Sequence, residues 1–291
     1  MRTVTACFLL FLASASAARA DYVKVSDDLT IHYQTAGAGP QVILLVPGWT
    51  MSSDVFEKQL QHFKASKDFK LVVMDPRSQG LSTHTLEGNF YEQHGRDLEA
   101  FIQRLQLKNI VLGGWSNGGF DILSYVHQFG AGNLKGLIMI DAAPTGSGDD
   151  NQKEWVWFRK DDSDGYRRYF TEGPLLDREK VNDEFAHFMV KSATPAYLDW
   201  MNRITNQTSN GVAALLNESS AYQDYSKDLE TLEGKAALLY VVHSDWKDVV
   251  GQWAQRHTPS AKVATVEKHL SFWENSDQFN GYLDAFLASL R

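Results

Sequence analysis

Cysteine is nearly absent. Its single copy among 291 residues is Cys7, inside the first apolar run, so the remainder can hold no disulfide, thiolate metal site or cysteine nucleophile. Basic side chains are also scarce, 28 Lys and Arg against 36 Asp and Glu. That balance lacks the footprint of phosphate-backbone or anionic-membrane binding, and nucleic acid is not expected as a partner. Beyond residue 20 no apolar run is long enough to cross a bilayer, and there is no repeat or low-complexity tract. What the chain does have is 43% hydrophobic and 12% aromatic residues, which excludes a disordered or fibrous protein and is enough for a large globular domain.

At the N-terminus Arg2 precedes the apolar run Ala6 to Ala13, followed by small residues and Ala18-Arg19-Ala20. This is the pattern of a secretory signal peptide, residues 1–20, cleaved before Asp21. The run is too short to span ~30 Å of hydrocarbon, so no stable membrane insertion is expected after cleavage. The chain is expected to be secreted or periplasmic. Loss of Arg2 and Arg19 would leave it still more acidic.

Short apolar, β-branched runs alternate with amphipathic stretches, which predicts an α/β fold with a mostly parallel central sheet flanked by helices. Strands are expected at Leu29–Gln34, Val42–Val46, Lys70–Met74, Ile110–Gly113, Gly136–Ile140, Ala237–Val242 and Lys262–Val266. Helical spacing of apolar residues marks Phe90–Leu105 and Phe279–Leu290. Between Pro144 and Gly234 the strand rhythm stops and the sequence turns aromatic and charged. This predicts a core domain of residues 21–143 and 235–291 with an inserted helical cap at 144–234. Most cap aromatics should serve packing, and a minority should line an apolar pocket between the two parts.

One segment carries chemistry. The strand at Ile110 runs into Gly114-Trp115-Ser116-Asn117-Gly118-Gly119 and then into a helical pattern from Phe120. This is G-x-S-x-G in the strand–turn–helix setting in which a serine is lifted clear on a tight elbow. A serine needs a base held by a carboxylate. Of nine histidines, His32, His62, His94, His127 and His187 fall in strand, helix or cap patterns. His269 follows the last strand, at the edge where open α/β sheets place their sites.

These residues, with Val46-Pro47-Gly48-Trp49, Asp75-Pro76-Arg77-Ser78-Gln79-Gly80-Leu81-Ser82 and His269-Leu270-Ser271-Phe272-Trp273-Glu274, resemble the α/β-hydrolase-fold superfamily, in its serine esterase, lactonase and cofactor-free haloperoxidase branches. The resemblance implies Ser116 as nucleophile, His269 as base, and the backbone N–H groups of Trp49 and Asn117 as the oxyanion hole. It implies no cofactor and no metal. The family's acid follows the penultimate strand, where Val242-His243-Ser244-Asp245-Trp246-Lys247-Asp248 puts a lysine on the usual position. We place the acid at Asp245, with Asp248 as alternative. Asp141, after strand Gly136–Ile140, is a displaced third option, expected to bond locally and start the cap. The expected activity is hydrolysis of a small carboxylic ester or lactone. A peroxidase or perhydrolase of the same fold and a ligand-binding protein on this scaffold are the alternatives. Sequons at Asn206 and Asn217 would matter only in a eukaryotic secretory route, and the sequence is silent on oligomeric state.

Overall fold

The computed structural model describes residues 19–290. The expected signal segment falls outside these, except for Arg19 and Ala20, which open the first strand. The chain begins β1 (Arg19–Lys24), β2 (Thr30–Ala36) and β3 (Gln41–Val46), then α1 (Glu57–Phe63), β4 (Phe69–Met74), α2 (Tyr91–Arg104), β5 (Ile110–Trp115), α3 (Gly118–Phe129) and β6 (Leu134–Ile140). A cap follows: β7 (Thr145–Gly148), β8 (Val156–Arg159), α4 (Ser163–Tyr166), a π-helical stretch, α5 (Gly173–Leu176), α6 (Arg178–Met189), α7 (Pro195–Thr205), α8 (Asn210–Ala221) and α9 (Ser226–Glu230). The core resumes with β9 (Ala237–His243), α10 (Lys247–His257), β10 (Lys262–Val266), α11 (Ser271–Glu274) and α12 (Ser276–Ala288).

Eight strands form one sheet in the order β1-β2-β4-β3-β5-β6-β9-β10. The β1–β2 and β2–β4 pairs are antiparallel and the rest parallel. This is the expected mostly parallel α/β sheet. Its inner strands are apolar on both sides because both faces are covered. Side chains alternate between two apolar layers: Leu44 and Leu112 join Phe101 of α2, Phe120 of α3 and Trp253 of α10. Ile43 and Val111 join Leu60 of α1 and Leu283 of α12 on the other face. Burying each such side chain contributes roughly 1.5–3 kcal/mol.

From β3 the chain moves to β4 on one side, and β5 then pairs with the other side of β3. The order therefore reverses at β3 and β5, and a crevice opens at their C-terminal ends, where ligands bind in sheets of this kind. The loop after β3 and the elbow after β5 meet there.

The cap differs from expectation at its start. It opens with two parallel strands, β7 and β8, and is not wholly helical. The run Trp155-Val156-Trp157-Phe158 has the aromatic and β-branched content that favours a strand, and Trp155, Val156 and Phe158 are buried.

Candidate active site

The elbow is dictated by its glycines. Ser116 has φ +54°, a left-handed conformation costly for a residue with a side chain. A Cβ on Gly114 would collide with the Gly118 carbonyl, and one on Gly118 would lie 2.5 Å from the Val46 carbonyl oxygen. The turn is pinned by the Ser116 N–H donating to Ile140 O at 3.0 Å. Opposite, a Cβ on Gly48 would stand 2.8 Å from Ser116 Cβ, so the loop after β3 passes directly against the serine. Among the described residues the backbone N–H groups of Trp49 and Asn117 have no hydrogen-bond partner, which leaves both free to donate to a ligand. Trp49 is fixed by its indole Nε1–H donating to Ala213 O at 2.8 Å, with the Arg178 guanidinium 5.5 Å over its ring.

His269 lies buried beyond β10. Its loop is held by the Trp115 indole donating to the His269 carbonyl at 3.0 Å, and the Trp115 and His269 rings stand 5.1 Å apart. From the cap, the Met189 carbonyl accepts the Leu270 N–H at 2.9 Å. His269 and Ser116 line one cavity of about 420 Å³, a size suited to a small ligand. Trp49, Trp157, Phe158, Tyr166, Phe170, Phe185 and Phe188 form most of its wall. Besides Ser116 and His269, polar side chains in the lining include Asn117, Asn217 and Asp162, and no lysine or arginine is among the lining residues.

The carboxylate that meets His269 is neither Asp245 nor Asp248 but Asp141. His269 Nδ1–H donates to Asp141 Oδ2 at 2.6 Å. Asp245 sits in a 3-10 turn, Ser244–Trp246, and Asp248 in the first turn of α10; both are exposed, and among the described residues Asp245 accepts from its neighbour Ser244 at 3.4 Å. The chain winds outward as soon as β9 ends, so these carboxylates leave the crevice. Asp141 instead ends the strand beside β5. It has φ +41°, and its N–H donates to Val241 O at 2.7 Å, which seats the carboxylate between β6 and β9. Its second oxygen accepts from His243, through Nδ1 at 2.7 Å and the backbone N–H at 2.8 Å. Burial alone would raise its pKa, but hydrogen bonds from His243 and His269 outweigh this and hold it well below the usual carboxylate range. A lysine at the family's acid position and an aspartate closing the preceding strand were the available signals; nothing in the sequence singled out His243.

Several motif residues prove to be scaffold. Glu274 accepts the N–H groups of Lys191 and Ser192, each at 3.0 Å. Trp273 donates to Glu57 at 2.8 Å and stacks 4.8 Å from Trp200. The Phe-Trp-Glu run therefore fastens the cap to the core. Asp75 is buried and accepts from His32 and from the Leu81 N–H, both at 2.8 Å, and Arg77 grips Asp97 at 2.7 and 2.8 Å. Asn217 is buried, donating to Phe170 O at 2.9 Å and accepting from Asn117 at 3.4 Å. Its sequon is thus closed by the fold.

With this geometry the chain belongs to the α/β-hydrolase fold family, whose model, described as "alpha/beta hydrolase fold", matches residues 41–280. Over 123 residues it is 31% identical to the non-heme haloperoxidase of Rhodococcus erythropolis, a match taking in 42% of this chain and 44% of that one. It thus spans less than half the length of that curated relative. Among solved structures it is similar to a bromoperoxidase from Bacillus anthracis, with TM-score 0.82, 21% identity and coverage of 93% of this chain and 100% of that one. It is also similar to an esterase from Exiguobacterium antarcticum, with TM-score 0.80, 20% identity and coverage of 92% and 98%. At those identities the likeness establishes the fold alone.

Proposed function

We propose that this chain is an exported serine hydrolase that cleaves small carboxylic esters or lactones. The observation that carries the reading is the His269–Asp141 bond of 2.6 Å beside a strained elbow serine in one cavity. Ser116 Oγ attacks the acyl carbon and passes its proton to His269 Nε2. Asp141 holds the imidazole and stabilises the imidazolium, and the N–H groups of Trp49 and Asn117 take the oxyanion. His269 returns the proton to the leaving alkoxide, and water then cleaves the acyl-enzyme by the same proton path. An aromatic wall without a lysine or arginine suits neutral, compact, apolar or aromatic esters and gives a carboxylate-bearing substrate no counter-ion.

A fluorophosphonate probe should add once, on Ser116, as mapped by peptide mass. Ser116→Ala should lose the adduct and lower kcat by about four orders of magnitude or more. Full ester turnover by that variant contradicts the reading. The likeness to a haloperoxidase favours a second reading, in which hydrogen peroxide rather than water attacks the acyl-enzyme and releases a peracid. Acetate-dependent bromination with peroxide tests it, and no signal sets it aside. Export rests on residues 1–20; an N-terminal mass beginning at Asp21 in the exported protein supports it, and retention of Met1 there contradicts it.

A further inference from the structure

The carboxylate of Asp141 is shared. Its Oδ2 takes the His269 Nδ1–H at 2.6 Å, and its Oδ1 takes the His243 Nδ1–H at 2.7 Å. The two imidazoles differ in exposure: the His269 side chain is 4% exposed and that of His243 21%, so solvent protons reach His243 directly. Its ring packs 4.7 Å from Trp246, which lies 4.9 Å from Trp157 of the cavity wall. The charged groups facing it are Asp141 from β6, Asp245 from the turn after β9 and Lys268 from the loop before His269.

We propose that His243 is a positioning residue that fixes the Asp141 carboxylate and, by its own protonation, sets how much negative charge that carboxylate offers to His269. This rests on the proposed roles of Ser116, His269 and Asp141. With His243 neutral, the hydrogen bond orients the carboxylate and the full anionic charge stabilises the imidazolium that forms on His269. With His243 protonated, a cation 2.7 Å from Oδ1 cancels much of that charge, and the proton transfer from Ser116 becomes less favourable. Burial opposes the charged form of His243, but the hydrogen bond to Asp141 and the charges of Asp141 and Asp245 prevail and raise its pKa above the ordinary histidine value. Activity is therefore braked as pH falls through that raised value.

His243→Asn keeps a donor at the Nδ1 position and removes the titration. Its kcat on a neutral aryl ester should match that of the wild type at pH 9 and exceed it about three- to tenfold near pH 6, one pKa unit of coupling being tenfold. A purely structural role cannot make the variant faster in acid only; a ratio that stays flat with pH, or a variant slower throughout, overturns the proposal. The wild-type protein supplies a second measurement that needs no variant. The nitrogen-15 titration of the His243 ring should have the same midpoint as the upper inflection of kcat, and a mismatch overturns the proposal. If Ser116→Ala retained turnover, the mechanism would fail on its own, whereas the ring titration would still report the shared carboxylate.

Discussion

Two of the buried histidine–aspartate pairs are chemically alike and differ in what surrounds them. His94 of α2 meets Asp121 of α3 at 2.6 Å, and His269 meets Asp141 at the same distance. The first pair is carried by two helices and sealed. His94 Nε2 has no partner among the described residues, and the space beside it is about 10 Å³, barely one water. The second pair stands on loops at the ends of β6 and β10, beside a cavity of about 420 Å³ that also holds Ser116. Their acids differ in turn. Burial dominates at Asp121 and raises its pKa despite the charge and hydrogen bond of His94, whereas the hydrogen bonds and charges of His243 and His269 reverse the effect of burial at Asp141. By linkage, Asp141 adds stability above the ordinary carboxylate range and loses it as pH falls, and Asp121 behaves the other way. A buried His–Asp pair is thus not a functional signature; what distinguishes one is the side chain and the space in front of its free nitrogen.

The comparison can be broken by the same substitution at both sites. His269→Asn should lower kcat about 10⁴-fold, because the serine loses its base, while His94→Asn should leave kcat within about threefold. A comparable loss at both positions, in folded protein, would erase the distinction. The smaller effect has the opposite distribution. His94→Asn weakens the only side-chain donor that the described residues give Asp121, and should cost about 1–3 kcal/mol in urea unfolding. Unchanged stability there would mean that the helical pair is not a packing device.

How much of this was legible in the sequence depended on whether the information was local. The strand rhythm gave the sheet because buried parallel strands are apolar throughout, and the elbow was legible because Gly114 and Gly118 answer a local steric demand. His269 was legible by its position after the last strand, and it lines the same cavity as Ser116. The carboxylate that meets it was not, because the contact between His269 and Asp141 joins residues 128 positions apart and depends on how the chain winds after β9. The cap strands β7 and β8 were passed over because the long aromatic stretch was read as one helical block. The role of Phe272-Trp273-Glu274 as a cap fastener follows from contacts with Lys191, Ser192 and Glu57, which no local pattern encodes.

In the proposed mechanism Ser116 gives its proton to His269, and Asp141, which stays ionised, orients the ring and stabilises the imidazolium. The most direct test is kcat/KM for Asp141→Asn beside Asp245→Asn on one neutral aryl ester at pH 8. The account predicts a loss of about 10³- to 10⁴-fold for Asp141→Asn, since an amide cannot stabilise the imidazolium, with Asp245→Asn within about twofold of wild type. Wild-type turnover by folded Asp141→Asn, or a collapse of activity in Asp245→Asn, would contradict it.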